Sequence, residues 1–326
     1  RKIVPQGHFL WARNEQDEDF YALWVVFTTP SSNRKENFAM LTVFFTATAL
    51  LAWFMCCMFL IGLKARDNSL VDIAYGPAFL IACWGTWCLH GGLTLHFRPL
   101  LLLGLLTLWG VRLGLHIGQR HSGRGEDFRY QKFRKEWGDT IIWRSFLQIY
   151  MLQGAVILVV AAPVLLTIGA PEAALVWTDL VGVLLFFLGF LFEAISDWQM
   201  TVFKKGSQNK GKIIMQGLWR YSRHPNYFGE ATLWWGIFFI GLAGPYGLYG
   251  VVSPLTIAFL LLKVSGIPML EAKYQGNPEF EAYRARTNSF FPWFVRKTDI
   301  NLKINSKTSG NNADRNDHYI KSEIIP

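Results

Sequence analysis

Charge is scarce in this chain: of 326 residues only 17% are Asp, Glu, Lys or Arg, whereas 52% are hydrophobic. With so little charge and the apolar residues gathered in long blocks, a surface wetted on all sides is excluded. Cysteine is scarcer still. Cys56, Cys57, Cys83 and Cys88 all fall inside apolar stretches, a placement that indicates neither a disulfide framework nor a metal cluster. An ordinary signal peptide is also lacking from the first 37 residues. Their positive start leads into Glu15, Gln16, Asp17, Glu18 and Asp19 rather than into an apolar core.

What the chain has instead is apolar length. A bilayer core needs about 20 mostly apolar residues per helix, and seven blocks qualify: 39–63, 70–89, 98–118, 146–168, 175–198, 228–243 and 247–270. The third is interrupted by Arg112 and the sixth is short. Lysine and arginine collect in alternate loops, seven in 119–144, six in 199–227 and nine after Leu270, against none around Pro171 and Pro245. This is the positive-inside pattern, and it accounts for the net charge of +9 without nucleic acid. The expected fold is an all-α polytopic membrane protein of about seven transmembrane helices plus interfacial amphipathic helices, with a cytosolic C-terminus. Such a chain suits the endoplasmic reticulum or a bacterial inner membrane. Residues 1–38 read as an N-terminal extension, 39–296 as the transmembrane domain and 297–326 as a disordered polar tail.

Polar groups at membrane depth are expensive, so their placement is informative. Ser69 with Asp72 three residues on has the spacing of a capping box; alternatively Asp72 and Tyr75, on one helical face, present an acid and a phenol to a substrate. Arg112, His116 and Arg120 share one stripe of the third span, either snorkelling and packing or lining a cofactor cleft. The run 123–130 leads into a helix with Tyr130, Phe133 and Trp137 on one face, which suits the membrane interface. Glu193 and Asp197, four apart near the end of the fifth span, repel one another. They require a partner, and the candidates are Arg220, Arg223 or a polar ligand.

The chain is organised around residues 217–236. Pro225 suits the first position of a helix, since its fixed φ fits and its missing N–H costs nothing there. The free N–H groups of that helix's first turn, with Arg220, Arg223 and His224, would make an anion-binding corner.

The run Arg220, Tyr221, Ser222, Arg223, His224, Pro225, Asn226, Tyr227, Phe228, Gly229, Glu230 resembles the C-terminal domain of steroid 5-alpha-reductases, together with the Asp197 region before it and Glu271, Tyr274, Tyr283 and Pro292 after it. The resemblance covers roughly residues 40–295 and is nearest to an uncharacterised branch of that superfamily (domain of unknown function 1295). That branch also shows the runs 71–76 and 125–130. The resemblance implies a membrane reductase holding NADPH in a cytosol-facing cavity and acting on a lipophilic substrate. Asp197, Lys204, Asn226, Glu230 and Tyr274 match positions that contact the cofactor in the reductases; Glu193 stands where those enzymes commonly have asparagine. Arg220, Arg223, His224 and Tyr227 complete the expected cofactor set, and Asp72 and Tyr75 are the expected catalytic pair. Isoprenylcysteine carboxyl methyltransferases share Arg223, His224, Pro225 and Tyr227, so S-adenosylmethionine is the alternative cofactor. A membrane scaffold of the same fold that lacks catalysis is a further reading.

Overall fold

The computed structural model describes residues 31–296 except 91–95, 124 and 172. The expected extension up to residue 30, the tail from 297 and Arg124 therefore lie outside the described residues. Every regular element among the described residues is helical. The first three are α1 (Ser31–Ala65), α2 (Leu70–His90) and α3 (Phe97–His121). Amphipathic α4 (Phe128–Trp137) follows, capped by the Asp127 carboxylate, which accepts the Arg129 amide. A continuous helical run then carries the chain through α5 (Ile141–Arg144), a π-helical stretch (Ser145–Met151) and α6 (Leu152–Val160). It breaks at Ala161, where Pro163 opens α7 (Ala162–Gly169).

Helix α8 (Trp177–Lys205) outruns its expected end at Trp198 by about two turns. The hinge leads into α9 (Pro225–Gly241), with Pro225 at the first position as its geometry favours. Helices α10 (Val252–Phe259), α11 (Ile267–Ala272) and α12 (Pro278–Arg286) close the fold.

Among the described residues, six helical stretches are long and apolar enough to cross a membrane: Glu36–Ala65, Leu70–His90, Phe97–His121, Phe128–Val160, Trp177–Lys205 and Gly247–Ala272. The expected sixth span is α9, which has only 17 residues and is therefore about 25 Å long. It is an interior helix: Leu233, Trp234, Ile237 and Ile240 are fully buried. Short length suffices because α9 packs on protein over much of its surface.

Glycine sets the spacing between α8 and α9. A Cβ at Gly229 would lie 2.6 Å from the Gly189 carbonyl oxygen, and one at Gly182 would lie 2.6 Å from that of Gly236. The backbones touch where side chains would otherwise hold them apart. Gly76 on α2 meets Gly110 on α3 in the same way, since a Cβ at Gly110 would lie 3.2 Å from the Gly76 carbonyl oxygen. Beneath these contacts Phe79, Trp109 and Trp234 form an aromatic floor, with centroids 5.1 Å apart for Trp109–Trp234 and 5.4 Å for Phe79–Trp109.

The strongly basic segments meet at one end of the bundle. There the turn after α1 bonds to the loop before α4 (Asn68 N–H to Glu126, 2.9 Å), and Lys273 lies on the Phe128 ring. The opposite end is closed by Arg98 on α3, buried against Asp179 of α8 at 2.8 Å and donating to the carbonyls of Ala173 and Ala174.

Candidate functional site

At the basic end, the helical repeat that puts Glu193 and Asp197 on one face of α8 brings them opposite Arg112 on α3. Arg112 Nη2 pairs with Glu193, and its Nη1 lies 2.9 Å from Asp197 Oδ2. The compensating cation is thus Arg112, and neither Arg220 nor Arg223 supplies it. Trp109 Nε1 donates to Glu193 Oε2 at 3.2 Å, and His116 Nε2 stands 3.8 Å from Asp197. The Arg112–His116 stripe therefore lines the acid face.

Helix α9 adds the remaining members. Asn226 Nδ2 donates to Asp197 Oδ1 at 3.4 Å. Glu230, one turn on, stands within electrostatic influence of Arg112, Asp197 and Glu193. Two buried atoms in this cluster have no hydrogen-bond partner: Asn226 Oδ1, an acceptor, and Arg112 Nε, a donor. Tyr75 borders the cluster, its ring 5.2 Å from Phe79 and 6.1 Å from Trp109, with Glu230 and Glu193 as its charged neighbours.

Asp72 faces elsewhere. Its carboxylate accepts from Arg129 Nη2 at 2.7 Å and from the Tyr130 hydroxyl at 2.8 Å. Arg129 also pairs with Asp127 at 2.9 Å, while Glu126 holds Arg134. The expected capping box at Ser69 does not form: the Ser69 hydroxyl accepts the Asp127 amide at 2.7 Å, and Asp67 Oδ1 takes the Ser69 amide at 2.8 Å. The reason is competition, since the loop before α4 offers Ser69 and Asp72 charged and backbone partners from outside their own helix. This network fastens α4 to the start of α2.

The hinge is also occupied from within. Arg223 and His224 are both buried and share Glu271, at 2.9 and 3.0 Å. Arg223 Nη1 donates to the carbonyls of Thr287 and Arg284, and its amide to Asn288 O at 2.9 Å. Ser222 Oγ donates to Phe290 O at 2.8 Å. The expected anion corner is thus a clamp on the chain after α12. Arg220 is exposed beside it. Tyr227 stacks on His224 with centroids 5.5 Å apart, and also lies among Glu230, Asp197, Arg129 and Arg120. Lys204 is exposed at the end of α8, and Tyr274 stacks on Phe280 at 5.1 Å.

Of the expected cofactor residues, then, Glu193, Asp197, Asn226 and Glu230 converge, with Tyr75 beside them and Tyr227 near. Arg223 and His224 turn to Glu271, while Arg220, Lys204 and Tyr274 are exposed. Sequence alone does not mark Trp109, because an indole in an apolar helix reads as core until the facing acid is known. Nor does it mark Glu271 as a member of the hinge, since its two partners lie 47 and 48 residues away.

Residues 58–287 match a family described as protein of unknown function (DUF1295). The chain is also similar to an uncharacterised protein, C594.04c, of Schizosaccharomyces pombe, 22% identical over 246 residues, which covers 65% of this chain and 70% of the yeast protein. No solved structure matches.

Proposed function

This chain belongs to the DUF1295 family, a steroid 5-alpha-reductase-like branch of membrane proteins, and on that footing we propose that it is an NADPH-dependent reductase of a lipophilic substrate. The observation that carries this reading is the convergence of Asp197, Asn226 and Glu230 on Arg112 at the basic end of the bundle. Those three match cofactor-contacting positions of the reductases; Asp197 comes from α8, Asn226 and Glu230 from α9, and the Arg112 they meet from α3. The unused acceptor Asn226 Oδ1 and unused donor Arg112 Nε fit a primary carboxamide, whose NH2 can donate to the first and whose carbonyl can accept from the second.

When bound, NADPH supplies the hydride, and the substrate is an activated carbon–carbon double bond. Asp197, Asn226 and Glu230 orient the ring end of the cofactor. The aromatic floor of Phe79, Trp109 and Trp234 keeps water from below. Tyr75 holds a proton on its phenol oxygen beside this floor, positioned to donate where negative charge builds on the substrate. Losing such a donor costs on the order of a hundredfold in rate or more. Asp72, engaged by Arg129 and Tyr130, supports the geometry around Tyr75 from the adjoining turn. Under this reading the basic end faces the cytosol, in the endoplasmic reticulum or a bacterial inner membrane.

A second reading is favoured by charge: Glu193, Asp197 and Glu230 outnumber Arg112, and an acid-rich centre also suits the sulfonium of S-adenosylmethionine. Titrating the detergent-purified protein with NADPH and with S-adenosylmethionine separates the two. NADPH binding that weakens in Asn226→Ala and Glu230→Gln supports the reductase; binding of S-adenosylmethionine alone overturns it. Folded variants that change neither ligand binding nor turnover of a lipid extract leave a non-catalytic scaffold.

A further inference from the structure

Because Glu271 and backbone carbonyls consume Arg223 and His224, the free cations of the basic end lie elsewhere. Arg120 is the outermost member of the Arg112–His116–Arg120 stripe on α3, one turn beyond His116. Lys273 follows α11 and is held with its ammonium 3.2 Å from the centre of the Phe128 ring, a cation–π contact that pins it against the first turn of α4. Both are exposed, and neither has an ion pair among the described residues. Arg129, already shared by Asp72 and Asp127, acts on Lys273 alongside Arg120. Partial desolvation against the Phe128 ring lowers the Lys273 ammonium from its ordinary range; Asp127 opposes this, while Arg129 and Arg120 add to it. Three cations thus crowd two carboxylates.

Tyr227 marks where this rim meets the acid cluster, with Arg120 and Arg129 among its charged neighbours on the one hand and Glu230 and Asp197 on the other. We propose that Arg120 and Lys273, flanked by Arg129, form a phosphate-binding rim at the mouth of the Asp197–Asn226–Glu230 cluster. A phosphate answers the local excess of donors and positive charge, and a guanidinium fork grips it in two bonds. The group comes either from a dinucleotide, in which case this assignment rests on the reductase reading, or from a phospholipid headgroup.

The test uses the full chain in detergent, titrated with inorganic pyrophosphate and with NADPH, and in nanodiscs with and without phosphatidic acid. Arg120→Gln and Lys273→Gln are each expected to weaken pyrophosphate about tenfold, as the loss of one charge-assisted contact does, and to flatten its salt dependence. Arg120→Lys and Lys273→Arg, which keep the charge, are expected to restore most of the binding and report that folding is intact. Parallel loss of NADPH affinity assigns the rim to the dinucleotide. Weakened pyrophosphate and phosphatidic acid with no NADPH binding by the wild type keeps the rim and removes the reductase reading. A double Gln variant that binds pyrophosphate like the wild type overturns the rim, as does a wild type that binds none of the three.

Discussion

Arg112 on α3 and Glu193 on α8 form an ion pair in which Glu193 is almost wholly withdrawn from solvent, its side chain 4% exposed. The pair ties the third membrane helix to the fifth at the level of the candidate site. Two carboxylates four residues apart, Glu193 and Asp197, depend on this one guanidinium. Removing one partner of such a pair leaves a buried charge uncompensated, typically at about 3–5 kcal/mol. Arg112→Met is therefore expected to lower the thermal midpoint in detergent sharply, and Arg112→Met with Glu193→Gln to recover part of the loss. A single variant as stable as the wild type would refute the dependence.

The glycine contacts make a second prediction. Gly229 stands three residues after Asn226 and one before Glu230, so the closeness of α9 to α8 fixes where both side chains lie. Gly229→Ala puts a methyl 2.6 Å from the Gly189 carbonyl oxygen, backbone that cannot swing aside. Overpacking of this kind costs about 1–3 kcal/mol, and the separation should draw Asn226 away from Asp197. Thermal unfolding and ligand titration of the same variant should therefore both suffer. Gly104→Ala, where a Cβ meets nothing within 4 Å, is the control expected to leave both unchanged.

How far these features were legible in the sequence depends on distance along the chain. Apolar length, the α9 start at Pro225 and the shared face of Glu193 and Asp197 follow from local periodicity and backbone geometry, and they appear as expected. The partner of those acids does not follow, because a helix face says where a side chain points and not what stands opposite. Arg112 is 81 residues from Glu193. The same limit explains Ser69 and Asp72: their spacing satisfies a local capping rule, yet partners 57 and 58 residues away engage both. The hinge cations had the right type for an anion, but only the fold brings Glu271 against them.

Acid should loosen the fastening of α4. Burial alone would raise the Asp127 carboxyl, but hydrogen bonds from the Arg129 guanidinium and amide outweigh it and hold the group below its ordinary value of 3.8. A carboxylate whose folded-state pKa is depressed contributes stability that is complete above the unfolded value and fades as pH falls through the folded one. The thermal midpoint should therefore drop as the pH is lowered from about 5 towards 3. Asp127→Asn should flatten part of that slope while lowering the midpoint at neutral pH. An unchanged acid limb in the variant would assign the loss to other carboxylates.

The clamp at Glu271 makes the last prediction. Arg223 reaches Glu271 with one edge and the carbonyls of Arg284 and Thr287 with the other, and His224 takes the same carboxylate. Glu271 is thus the acid that makes the buried Arg223 guanidinium of the hinge tolerable, and through Arg223 it positions the segment running from Arg284 to Phe290. Glu271→Gln keeps an acceptor for one partner but removes the charge, whereas Glu271→Ala removes both. Amide hydrogen exchange over 284–293 should rise modestly in the first variant and strongly in the second, and trypsin should cut at Arg284 and Arg286 faster in the same order. Because Tyr283 also fixes this segment through the carbonyls of Trp219 and Ser222, exchange should rise without loss of α9. Protection of 284–293 that survives Glu271→Ala would show that the backbone contacts of Arg223 hold the segment without the acid.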